Sequence, residues 1–173
     1  MTVIDGVRIG TVNVGIKQTT RPDLCLIEIN DGASCAAVFT QNRFAAAPVL
    51  VAKRHLVDNP NPRYLLINSG NANCGTGDSG INDATRLCSE VARIAGCATN
   101  SVLPFSTGVI GEYLPTDRMM EQLPGLVSSL KPDAWHDCAA AIMTTDTTTK
   151  LATESFVVGA EQHKVTGIAK GSG

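Results

Sequence analysis

An α+β fold, with sheet layers covered by helices, is predicted from three features of the sequence. Strand-like runs fill the first third, one strongly amphipathic helix marks the middle, and alternating runs return near the end. That order of strands, helices and strands departs from the strict βαβ alternation of a parallel α/β fold. A length of 173 residues with 43% hydrophobic and 17% charged residues suits one domain, residues 1–173, with a substantial core. No repeat, low-complexity tract or long linker divides it.

The first expected strand is Val3 to Val7. Leu24 to Ile29 and Cys35 to Phe39 read as a hairpin, because Asp31-Gly32 between them supplies the positive φ that a tight turn requires. Val49 to Ala52 follows Pro48, and proline suits the first position of a strand because it has no N–H for the ladder. Tyr64 to Ile67 is apolar throughout and fits a strand buried on both faces. The clearest helix is Asn82 to Ala95: Ala84, Leu87, Cys88, Val91, Ala92 and Ala95 form one stripe, and Gly96 ends it as a left-handed cap. A second helix is expected from Thr116 as N-cap through Leu123, broken by Pro124-Gly125. A third covers Pro132 to Met143, packing Trp135, Ala139 and Ile142. Ser155 to Val158 and Lys164 to Ala169 read as strands. The sequence then stops at Lys170-Gly171-Ser172-Gly173, which reads either as a flexible last loop or as a chain that was cut there or continues beyond it.

Fourteen Lys and Arg against 16 Asp and Glu give a net charge of -2, with no basic patch to neutralise phosphates. Small metabolites or proteins are expected as partners, and neither nucleic acid nor a membrane. The six cysteines form no CxxC pair and the three histidines are far apart, so no metal site is expected. The start, Met1-Thr2-Val3-Ile4-Asp5-Gly6, lacks a basic segment followed by an apolar one. A cytoplasmic protein with reduced, mostly buried thiols is the reading.

Gly75-Thr76-Gly77-Asp78-Ser79-Gly80 matches GxGxxG ahead of a helix, but a long loop separates it from the strand ending near Ile67. No acidic residue follows at the spacing that holds a ribose. No nucleotide cofactor is expected. The stretch from Asn68 to Gly80 reads either as a turn whose asparagines bond their own backbone or as an amide-rich wall of an active site. Ser106-Thr107-Gly108-Val109-Ile110-Gly111, following the apolar Val102 to Phe105, is a glycine turn or a set of donors for an oxyanion. Met143-Thr144-Thr145-Asp146-Thr147-Thr148-Thr149-Lys150 ends the third helix or lines a polar pocket in which Asp146 receives substrate. Lys170 is a solvated lysine or a point charge for a carboxylate.

Those segments together, with Val38-Phe39-Thr40, Ala45-Ala46-Ala47-Pro48-Val49 and the terminal Lys-Gly-Ser-Gly run, closely resemble the ornithine acetyltransferase family in order along nearly the whole chain. The resemblance implies a layered sandwich of mixed β-sheets covered by helices and completed by a second chain, the β chain. Members of that family are precursors that cleave themselves before a threonine, and this sequence is similar to the α chain. The apolar segment, the Pro-Asn-Met-Ala-like stretch and the nucleophilic Thr that follow in the family are not in this sequence. Carried over by motif, Thr107 and Gly108 form an oxyanion hole through a hydroxyl and a backbone N–H, and Thr147 and Lys170 contact substrate. The activity implied is ping-pong transfer of acetyl from N-acetylornithine to glutamate through an acetyl-Thr of the β chain, as part of arginine biosynthesis. Two α and two β chains are implied, with no cofactor or metal; some members also take acetyl-coenzyme A as donor. Two rivals stand beside this reading: an aminopeptidase of related fold that passes the acyl group to water, and a non-catalytic binding subunit.

Overall fold

The computed structural model describes residues 3–16 and 20–171. Strands β1 (Val7–Val12), β2 (Leu24–Ile29), β3 (Tyr64–Asn71) and β4 (Val102–Val109) form a mixed sheet in that spatial order. The pairs β1/β2 and β2/β3 are antiparallel, and β3/β4 is parallel. Between the strands lie helix α1 (Ala47–Asp58), after β2, and helix α2 (Gly77–Ala95), which carries the chain across from β3 to β4. Helices α3 (Thr116–Ser128) and α4 (Trp135–Ala141) follow, and then a separate antiparallel hairpin of β5 (Lys150–Val158) and β6 (Glu161–Ala169).

Strand alternation divides the core. Leu24, Leu26, Tyr64, Leu66 and Val102 face one way, onto Leu87, Cys88 and Val91 of α2 and Met119, Leu123 and Leu126 of α3. Ile9 and Cys25 face the other way, onto Trp135, Cys138 and Ile142 at α4. The outer edge of β4 is partly covered by α1, whose buried His55 donates from Nδ1 to the Val102 carbonyl at 2.7 Å. An otherwise unpaired edge carbonyl is thereby satisfied. On β2, Glu28 is buried against the Arg8 guanidinium and accepts from the Tyr64 hydroxyl at 2.8 Å.

The α+β class and the helix ending at Gly96, where φ is +70°, agree with expectation. Several elements do not. Val49 to Ala52 is helical rather than a strand: Ala47, Pro48, Val51, Ala52 and His55 are buried at helical spacing, and Pro48 sits in the first turn, where its missing N–H costs nothing. Cys35 to Phe39 forms no strand. Asp31-Gly32 does make the turn, but both edges of β2 are already taken by β1 and β3. The first strand begins rather than ends at Val7, because Asp5-Gly6 turns there and the Val7 N–H bonds the Ile4 carbonyl at 3.1 Å. Thr116 lies inside α3, with Pro115 at the cap, and the helix runs through Pro124-Gly125 to Ser128. Burial of Leu123 and Leu126 on either side of the proline outweighs the lost backbone bond. Both terminal strands are longer than expected, and α4 is shorter.

Candidate active site

The parallel pair β3/β4 ends in two facing glycines. Gly70 has φ +105° and Gly108 has φ +139°, and a Cβ placed on Gly108 would lie 2.3 Å from the Gly70 carbonyl carbon. Only glycine lets the strands pair here, and the register slips at Asn71 directly afterwards. Thr107 precedes this point.

The amide-rich stretch beside it is structural. Asn68, Asn71 and Asn73 are almost wholly buried. Asn68 accepts from Ser106 at 2.6 Å and donates to the Asn71 carbonyl at 2.8 Å. Asn71 donates to the carbonyls of Glu112 and Tyr113, both at 3.1 Å, and Asn73 donates to that of Gly80 at 2.9 Å. Ser69 donates to the carbonyl of Ala141, tying the end of β3 to α4. The asparagine side chains are thus engaged with neighbouring backbone and with Ser106, on a stretch that is strand as far as Asn71 and helix from Gly77 rather than one long turn. The structure corrects the long loop expected before the glycine motif, since β3 extends to Asn71 and α2 starts at Gly77. The third glycine is packed tightly, a Cβ on Gly80 falling 2.1 Å from Thr76 Oγ1 and 2.5 Å from Asn73 Oδ1.

At the far end of β6, Lys170 Nζ donates to Thr107 Oγ1 at 2.5 Å. Two residues separated widely in sequence thus meet at the glycine-lined end of β4. The ammonium group can only donate, so it occupies an oxygen lone pair and leaves the Thr107 hydroxyl hydrogen for another acceptor. The placement of Lys170 depends on the loop after α4. Asp146 Oδ1 accepts from Lys150 Nζ at 2.6 Å and from the Gly171 N–H at 2.8 Å, and Oδ2 accepts from the Thr144 N–H at 3.2 Å. Lys150 Nζ also donates to the Gly171 carbonyl at 2.7 Å. The Asp146 side chain is 1% exposed. The bond from Lys150, and then that from the Gly171 N–H, hold its carboxyl well below the usual range for an aspartate.

Thr107, Gly108 and Lys170 are therefore brought together. Thr147 is exposed on the loop beside Asp146, and among the described residues no hydrogen bond joins it to those three. Asp146 does not stand open as a pocket wall, since its oxygens are already engaged. The sequence alone does not mark Lys150 as a functional residue; its spacing of four from Asp146 is the signal that points to it. Ser172 and Gly173, part of the terminal glycine run, lie outside the described residues.

Two of the buried thiols are held in the neutral form. Cys25 and Cys138 lie 3.1 Å apart, sulfur to sulfur, and this contact together with burial pushes the Cys25 thiol well above its ordinary range. Burial alone pushes Cys88 up to about 12. An apolar groove of about 290 Å3 lies between α1 and β4, lined by Phe39, Pro48, Leu103 and Phe105 and ending at Ser106. Among the described residues, no group of three or more His, Cys, Asp or Glu side chains is placed to hold a metal ion. No helix among them is long and apolar enough to cross a membrane.

Comparison with known proteins gives concordant findings. The model of the ArgJ family matches residues 8–173. The arginine biosynthesis bifunctional protein ArgJ of Methylococcus capsulatus is 51% identical over 170 residues, and that of Neisseria gonorrhoeae is 50% identical over 172. Each match covers 98% of this chain and 41% of the relative, so the chain spans about two fifths of the length of these proteins. Among solved structures, ArgJ from Bacillus halodurans superposes with a TM-score of 0.89 at 35% identity, covering 98% of this chain and 88% of that one. Ornithine acetyltransferase from Mycobacterium tuberculosis, complexed with ornithine, gives 0.86 at 31% identity, covering 98% and 90%.

Proposed function

The chain belongs to the ArgJ family, and from that premise we propose that it is the α chain of a self-processed enzyme that transfers acetyl from N-acetylornithine to glutamate. The observation that carries this reading is the contact of Lys170 Nζ with Thr107 Oγ1 beside Gly108. It joins a hydroxyl donor, a glycine amide and a fixed cation at one point, as acyl transfer from an amino-acid derivative requires.

In this mechanism the N-terminal Thr of the β chain attacks the acetyl carbonyl carbon, and its own α-amine takes the hydroxyl proton. The carbonyl oxygen becomes an oxyanion, held by the Thr107 hydroxyl and the Gly108 N–H. Collapse breaks the C–N bond, the amine nitrogen leaves protonated as ornithine, and an acetyl ester remains on the β-chain Thr. The glutamate amine then attacks that ester through the same oxyanion hole, releasing N-acetylglutamate and regenerating the Thr hydroxyl. Thr107 and Gly108 therefore act in both half-reactions. Lys170 and Thr147 receive the substrate, Lys170 through its carboxylate. Acetyl-coenzyme A is a second donor in this proposal, the assembly is two α with two β chains, and the setting is the cytoplasm.

The test uses the full-length protein. Intact masses under denaturing conditions should reveal two polypeptides, the second beginning with Thr, and labelled acetyl should pass from N-acetylornithine to glutamate. A single unprocessed chain that transfers nothing would refute the proposal, and release of free acetate without transfer to glutamate would assign a hydrolase instead.

A further inference from the structure

We propose that Asp146 and Lys150 are a positioning pair for the transfer reaction, gripping the backbone of Gly171 from both sides so that the adjoining Lys170 is delivered to Thr107. The inference rests on the acetyl-transfer reading of the same site and adds two residues to it. The Asp146 carboxylate takes the Gly171 N–H at 2.8 Å, while Lys150 takes the Gly171 carbonyl at 2.7 Å and itself bonds Asp146 at 2.6 Å. A three-membered cycle of charge-assisted bonds therefore fixes both polar groups of one residue.

That residue needs fixing. Gly171 has φ +132°, a conformation open to glycine but not reinforced by a strand, since β6 ends at Ala169. Among the described residues beyond β6, the other tie to the fold is the hydrogen bond of the Lys170 side chain to Thr107. The lysine side chain is long and rich in rotamers, so a backbone anchor one residue away sharply narrows where its ammonium can reach. The same carboxylate accepts the Thr144 N–H, which sets the loop bearing Thr147 in register with Lys170. One buried aspartate thus coordinates the two stretches that hold the expected substrate contacts, without touching the reacting atoms.

The experiment is a double-variant cycle in the full-length protein, with hydrogen exchange at Gly171 as a second readout. Asp146→Asn should lower kcat/KM about 10- to 100-fold, the scale of a misplaced catalytic group, and speed exchange of the Gly171 amide about tenfold. In a Lys170→Ala background the same substitution should cost less than about twofold, because its effect runs through Lys170. Wild-type kinetics in Asp146→Asn, or losses that multiply in full in the double variant, would overturn the assignment. Should Asp146→Asn fail to fold, Lys150→Met decides the matter: a lowered kcat/KM restored by Lys150→Arg supports the pair, and unchanged kinetics overturn it. If the wild-type protein transfers no acetyl, the transferase reading fails by itself, while Gly171 exchange in the variants still decides whether the grip exists.

Discussion

Gly108 and Thr107 are neighbours with opposite vulnerabilities. A methyl group on Gly108 would sit 2.3 Å from the Gly70 carbonyl carbon and 2.5 Å from the Asn71 nitrogen, both backbone atoms, at a φ that alanine resists. Neither strand can yield without breaking the β3/β4 pairing. Gly108→Ala should therefore destabilise the protein by about 4 kcal/mol or more, seen as a collapse of the thermal midpoint or of soluble yield. Thr107→Ala removes one hydroxyl from a partly exposed position, where it is bonded by Lys170. It should leave the thermal midpoint nearly unchanged while kcat for acetyl transfer falls about 100-fold, the usual cost of losing an oxyanion donor. Unchanged kcat would remove Thr107 from that role. The run holding the hydroxyl and the glycine is legible as a turn or a set of donors after an apolar strand, and the family resemblance is what names Thr107 and Gly108 within it. The facing Gly70 is not legible, since nothing local tells a glycine which distant backbone it will meet. The asparagines are legible only as a choice between two roles, and the structure shows their side chains buried and bonded within the fold.

At the scale of elements, the helices with a full apolar stripe were readable, and the errors came from short apolar runs and from punctuation. Val49 to Ala52 suits a strand or a helix equally. The extension to His55 and the position of Pro48 in the first turn make it α1. Pro124-Gly125 reads as a stop, yet α3 continues because Leu123 and Leu126 both reach the core from its inner face. That continuation gives a prediction. Gly125 is exposed and helical, and a Cβ built on it meets nothing within 4 Å. Gly125→Ala should thus stabilise the protein by about 0.5–1 kcal/mol through the lower entropy of the unfolded chain, raising the midpoint of thermal unfolding by a few degrees. By contrast, Leu123→Ala on the buried side should cost about 2–5 kcal/mol; if the two substitutions moved the midpoint in the same direction, the orientation of α3 would be wrong. The sheet order was the least legible feature, because one parallel crossover through α2 joins strands that otherwise pair antiparallel, and register between distant strands leaves no local trace.

For the molecule as a whole, the candidate site exists only because the end of β4 and the end of β6 are held against each other, and neither residue spacing nor periodicity reveals that meeting; the family resemblance supplied it. The holding is done by charge, which makes it sensitive to acid. Asp146 is depressed by Lys150 and the Gly171 N–H. Burial pushes Glu28 up, but its bonds from Arg8 and Tyr64 outweigh this and leave it lowered. A carboxyl whose folded pKa lies below its unfolded value, about 3.9 for Asp and 4.3 for Glu, contributes stability that is complete above those values. The contribution drains away as pH falls through the folded values, because the unfolded state then binds more protons. Stability should accordingly fall steeply below about pH 4. At the other extreme Tyr64, raised to about 12 by burial and by Glu28, contributes stability present below about pH 10 and lost as pH rises toward 12. Asp146→Asn removes the proton uptake at Asp146 and leaves that at Glu28. The variant should be less stable than the wild type at pH 7, yet its thermal midpoint should drop less between pH 5 and pH 3. Acid limbs that ran parallel would mean that Asp146 is no more strongly held in the folded chain than in the unfolded one, and the coupling of β4 to β6 would then have to come from packing rather than from the Asp146–Lys150–Gly171 cycle.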